Sequence, residues 1–137
     1  MAGFTFRYRL SGGAPTIQTI KAATTATYTK GDLLNLAAGE AALLVNTNAA
    51  ILGVFLGPTG AKVDGVTDLA VITDADAVYG CVDANARLAG ALLDIAGGTG
   101  AQTLAESGAG VEFIVVAPSS ATEETLVTFN VAHSWLT

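Results

Sequence analysis

Cysteine, histidine and charge are all scarce in this chain of 137 residues, and each scarcity closes off a class of function. Cys81 is the one cysteine, so neither an intrachain disulfide nor a cysteine-based zinc cluster can form. Lys and Arg number 6 against 12 Asp and Glu, a net charge of −6 that repels phosphate backbones and leaves few cations for a basic patch. Nucleic-acid binding is therefore not expected. Charged residues make up only 13%, against about 25% in an ordinary soluble domain, while hydrophobic residues make up 51%. A chain of one domain's length with so little polar surface is expected to hide apolar area against other chains, as an oligomer or a larger assembly. The opening MAGFTFRYRL lacks a continuous apolar run and the tail AHSWLT lacks a prenylation cysteine, so neither a secretory signal nor a lipid anchor is indicated. Synthesis and assembly in a cytoplasm are expected.

What is present is apolar and punctuated. No charge falls between Glu40 and Lys62, a run nearly long enough to cross a bilayer. Asn46, Thr47 and Asn48 stand together at its centre and Gly53, Gly57 and Pro58 interrupt its second half, which argues against a membrane span and for two strands joined by a turn. Similar Gly, Pro, Asn and Ser punctuation along the chain predicts strands over 4–10, 16–22, 32–36, 41–45, 50–56, 69–73, 78–82, 91–95, 111–117 and 125–133. The fold class is all-β, a small sandwich or barrel with Gly/Ala-rich loops, in a single domain over 1–137. Helical propensity in LAAGEAALLV, and Ser120 with Glu123 in capping-box spacing, leave room for one short helix.

Alternation is clearest at the two ends. Phe4, Phe6, Tyr8 and Leu10 share one face of the first strand, and Val127, Phe129, Val131, His133 and Trp135 one face of the last. By contrast ILGVFL and VEFIVVA are apolar on both faces, as for strands covered on one side by the domain's own core and on the other by a neighbour, with another subunit as a candidate cover.

Catalytic motifs are weak. Cys81 with His133 is the one nucleophile and base pairing of its type, and both residues sit in apolar strands where burial is the default. Ser107 lacks the glycine two positions back that a hydrolase elbow needs. GGTGAQT at 97–103 has neither the lysine nor the spacing of a phosphate loop and reads as a flexible hairpin tip. Asp74 and Asp76, with Asp64 or Asp68, could offer carboxylates to calcium, but the glycine and distal glutamate of a calcium loop are missing, so they read as turn acids. The expectation is a protein that is not an enzyme and needs no cofactor or metal.

YTKGDLLNLAAGEA, then AAILGVFLG, then AVYGCVDANARLAGALLDIAG resemble the small decoration or cement proteins of tailed-bacteriophage capsids, over about 28–56 and 78–95. That resemblance implies a structural virion protein, a homotrimer made in the host cytoplasm. It would dock on the outer capsid surface at local threefold positions, bind the major capsid protein and bridge capsomers. On this reading residues 1–10 form an arm or edge strand that adds to a capsid-protein strand, through Phe4, Phe6, Arg7, Tyr8 and Arg9, with the arginines facing acidic groups of the partner. Removal of residues up to Leu10 is then expected to leave a folded oligomer. Phe129, Val131, His133 and Trp135 are expected at the subunit interface. Alternatives are a carbohydrate-binding β-sandwich of a virion or adhesion structure, or another virion subunit such as a tail-tube or head-fibre protein.

Overall fold

A computed structural model of the chain describes residues 3–43, 51–83, 85–96, 98–106, 113–120 and 124–129. Among these residues there are thirteen strands and no helix: β1 (Thr5–Arg9), β2 (Ile17–Lys21), β3 (Ala26–Tyr28), β4 (Leu33–Ala37), β5 (Glu40–Leu43), β6 (Ile51–Phe55), β7 (Gly60–Lys62), β8 (Asp68–Ile72), β9 (Ala77–Val82), β10 (Leu92–Ala96), β11 (Thr103–Glu106), β12 (Phe113–Val115) and β13 (Glu124–Phe129). A six-stranded sheet runs β1-β9-β13-β12-β10-β11, a five-stranded sheet runs β2-β8-β6-β4-β5, and β3 pairs with β7 as a separate ribbon. The sheets pack as a sandwich and none closes into a barrel.

Aromatic side chains dominate the space between the two large sheets. Phe4 stacks on Phe113 at 4.8 Å, Phe113 meets Phe129 at 5.6 Å, Phe129 stacks on Tyr79 at 5.4 Å, and Phe6 meets Tyr79 edge-on at 6.2 Å. Leu33, Ile51, Val54 and Ile72 close this core from the five-stranded sheet. Each ring pair adds about 0.5–1.5 kcal/mol beyond the burial of its area, and because the rings come from β1, β9, β12, β13 and the residue before β1, they tie neighbouring strands of the six-stranded sheet together on its inner face.

A second core lies on the opposite face of the five-stranded sheet, where Tyr28 packs with Leu34, Leu52, Phe55, Leu69 and Val71. The Tyr28 hydroxyl donates to the Ala41 carbonyl at 2.8 Å, which pins the ribbon over that face. All five residues of β6 are buried as a result. The expected second cover of ILGVFL is thus supplied by the chain itself, not by another subunit.

Four further expectations need correction. β5 and β6 do not form a hairpin, because β4 pairs with both and lies between them. The hairpin is β4–β5, turned by Ala38 and Gly39 at φ 51° and 81°, the primed geometry that follows the twist of an antiparallel pair. LAAGEAALLV is therefore strand and turn over its described residues. The turn residues Asn46, Thr47 and Asn48, and the capping residue Glu123, lie outside the described residues.

In β1 the register slips between Phe6, opposite Tyr79, and Tyr8, opposite Val78, leaving Arg7 as the extra residue of a bulge. Phe4 and Phe6 consequently face the core while Tyr8 and Leu10, at 42% and 57% exposure, do not. In β13 the alternation holds, with Val127 and Phe129 buried, but Phe129 is spent on the chain's own ring stack and is not free to form a subunit interface. Val131, His133 and Trp135 lie outside the described residues.

Candidate functional site

The residues with the strongest chemistry are occupied within the chain. Cys81 is buried, and burial pushes its thiol up to about 11, away from the thiolate a nucleophile requires. Asp76 accepts from the Ser11 hydroxyl, from the Arg9 Nε at 2.9 Å and from the Ser11 amide at 3.0 Å, and this cradle of donors lowers its carboxyl to about 2. Asp74 accepts from the Thr16 amide at 2.6 Å and lies 3.6 Å from Arg9. Together these acids fasten the 10–16 loop to the start of β9. Asp68 pairs with Lys21 at 2.6 Å. Among the described residues no group of three or more His, Cys, Asp or Glu side chains could hold a metal ion.

GGTGAQT is anchored over its described part, not a free tip. Gly100 N donates to Asp32 at 2.9 Å, and Thr99 Oγ1 donates to the same carboxylate at 2.5 Å. The Thr29 amide donates to it at 2.8 Å. Gln102, fully buried, accepts from the Leu33 amide at 2.5 Å and donates to the Leu33 carbonyl at 3.2 Å, as a neighbouring strand would. Asp32 and Gln102 thereby tie the β10–β11 hairpin to the start of β4. The Lys-Gly-Asp turn carries the signal that could have revealed this: Gly31 has φ 94°, and its carbonyl accepts from the Phe4 amide at 2.9 Å.

This turn forms one wall of an apolar cleft of about 290 Å³. Phe4 and Phe6 form a second wall, Val54, Leu56 and Ile72 line the floor, and Lys30 stands on the rim with Thr59. Among the described residues β1 is the end strand of its sheet, paired on one side by β9, and it borders the cleft on its core-facing side. An unpaired strand edge is a template for strand addition, and pockets beside it can select alternate side chains of the added strand.

Charge singles out Lys30. Arg7 pairs with Glu124, Arg9 with Asp76, Lys21 with Asp68 and Arg87 with Asp83, while the Lys62 ammonium lies 5.5 Å from the Phe55 ring centroid. Of the chain's cations only Lys30 has no carboxylate or ring partner among the described residues. The Lys30 amide donates to Thr59 Oγ1 at 3.0 Å, so its backbone is fixed while its side chain is exposed.

The outer face of the six-stranded sheet is a second surface of note. Cross-strand pairing aligns Tyr8, Val78, Thr128, Ile114 and Leu92 in one row over five strands. Tyr8 and Leu92 on this face are exposed, as is Val82 near it. The Arg7–Glu124 pair crosses the same face above Gly80, where a Cβ would collide with the Glu124 carboxylate.

Set against the expected contact residues, Phe4 and Phe6 are both core and cleft wall, and Tyr8 is outer face. Arg7 and Arg9, expected to meet acidic groups of a partner, are engaged by Glu124 and by Asp76 of this chain. Lys30 and the cleft were missed, because only the meeting of four separate segments creates them. Neither the models of known protein families nor the curated proteins include a match to this chain.

Proposed function

We propose that this chain is a structural binding protein that attaches to the outer surface of a phage capsid, contacts the major capsid protein, and stabilises the shell by bridging capsomers. The observation that carries the reading is the edge of β1, paired on one side only among the described residues, bordering an apolar cleft, a geometry suited to an extended segment of another protein. Support for a non-catalytic role comes from the thiol held in its neutral form and from Asp76 and Asp83 being engaged by Arg9 and Arg87. The resemblance of YTKGDLLNLAAGEA and AAILGVFLG to capsid cement proteins supplies the capsid as partner and the homotrimer as assembly. A trimer linked through the outer sheet face would present several cleft sites at once, so modest individual contacts would still give durable attachment.

The test is sedimentation of the purified chain with undecorated tailed-phage heads. The wild type is expected to pellet with the heads, and Leu56→Lys, which places a charge in the cleft, to stay in the supernatant with its circular dichroism unchanged. Heads that leave the wild type in solution, or that retain the variant equally, overturn the proposal.

A further inference from the structure

We infer that the partner segment at the β1 edge is an acidic, apolar-centred strand: it seats a bulky aliphatic or aromatic side chain in the cleft and sets a carboxylate against Lys30. This rests on the docking reading above and specifies the chemistry of its partner.

A strand hydrogen-bonded to β1 would continue the six-stranded sheet about 4.8 Å beyond its present end, with alternate side chains directed to the inner face. That inner face is the cleft, because the floor residues Val54 and Ile72 belong to the facing sheet. The space of about 290 Å³ lies just under the roughly 300 Å³ at which small-molecule sites begin, so it suits one or two side chains better than an organic cofactor. The bulge at Arg7 twists the second half of β1 away from flat pairing, which confines a regular ladder to the Thr5 and Phe6 end, beside the cleft.

Lys30 fixes the sign of the partner. The chain has 12 Asp and Glu for 6 Lys and Arg, and its other cations are matched internally. The nearby Asp32 carboxylate is directed at Thr29, Thr99 and Gly100 and is already supplied with donors. An exposed ammonium on a rigid turn at the mouth of an apolar cleft attracts a carboxylate and repels a cation, and the chain as a whole, net −6, supplies no competing positive patch.

The probes are two capped peptides that alternate Thr and Leu, one with Asp at both ends and one with Lys at both ends, titrated into the ¹⁵N-labelled full chain. The Asp peptide is expected to bind about three- to tenfold more tightly than the Lys peptide, in line with an exposed charge contact switched from attraction to repulsion. Amide shifts should cluster at Thr5, Phe6, Lys30 and Leu56. Lys30→Met should remove the preference and Lys30→Glu should reverse it. Equal affinities for the wild type, a preference that survives Lys30→Met, shifts centred on β2, or no binding of either peptide would each overturn the inference. Head sedimentation separates the two proposals. Heads that take up wild type and Lys30→Met equally leave capsid docking standing without an acidic partner, whereas heads that refuse the wild type remove capsid docking whatever the peptides do.

Discussion

The Tyr79 hydroxyl is buried among rings and has no hydrogen-bond partner among the described residues, and burial pushes its ionisation far up. An unpaired buried hydroxyl costs stability while the ring beneath it contributes, so Tyr79→Phe is expected to raise the unfolding free energy by about 1 kcal/mol in urea titration. A loss of stability would mean that the hydroxyl has a partner. The opposite case is Asp83 with Arg87, a buried bidentate pair with contacts of 2.6 and 3.3 Å at the end of β9. Arg87→Met strands a carboxylate away from water and should cost about 3–5 kcal/mol, and Asp83→Asn in the same chain should restore much of it. Cys81 should stay unmodified by a disulfide reagent in native buffer and react at once in denaturant.

At the scale of elements, β6 is the strand on which both cores close, and Gly53 at its centre has no room for a side chain. A Cβ there would run into the Ile72 carbonyl of β8, which is backbone and cannot step aside. Gly53→Ala is therefore expected to destabilise by about 2–4 kcal/mol, more than most single substitutions, as read from the thermal midpoint. β1 likewise is no detachable arm, because Phe4 and Phe6 sit within the ring stack. Removing residues up to Leu10 should lower the unfolding midpoint sharply, contrary to the expectation of a folded oligomer, so docking is better probed by substitutions at Lys30 and Leu56.

At the scale of the whole molecule, the surface of 6187 Å² is close to the roughly 6,600 Å² of a free-standing folded chain of this mass. The second core hides apolar area that a two-layer sandwich would leave exposed, so part of the 51% hydrophobic content is covered by the chain itself. The oligomeric part of the proposal now rests on the outer sheet face: sedimentation coefficients should rise with concentration for the wild type and not for Leu92→Glu, and a constant monomer value for the wild type would remove it. Stability should also depend on acidity through Asp76. Its carboxyl is lowered from 3.8 to about 2 in the folded chain, so the stabilisation is complete above pH 4 and disappears as pH falls toward 2. Asp76→Asn should flatten the unfolding midpoint over that interval.

Strand formation was legible in the sequence because it is local: alternation, β-branched residues and Gly or Asn punctuation marked ten segments, and the all-β class followed. Short β3, β7 and β11 passed unnoticed, being three or four residues long and without apolar alternation. Partner choice among strands was not legible, since the hydrogen bonds of a ladder are the same whichever strand supplies them, and only packing put β4 between β5 and β6. The bulge at Arg7 was hidden for a related reason: an extra residue in a ladder exists only relative to the opposite strand. The apolar cleft and the isolation of Lys30 are tertiary in the fullest sense, because a cavity and an unmatched charge are defined by what surrounds them, and segments far apart along the chain supply those surroundings.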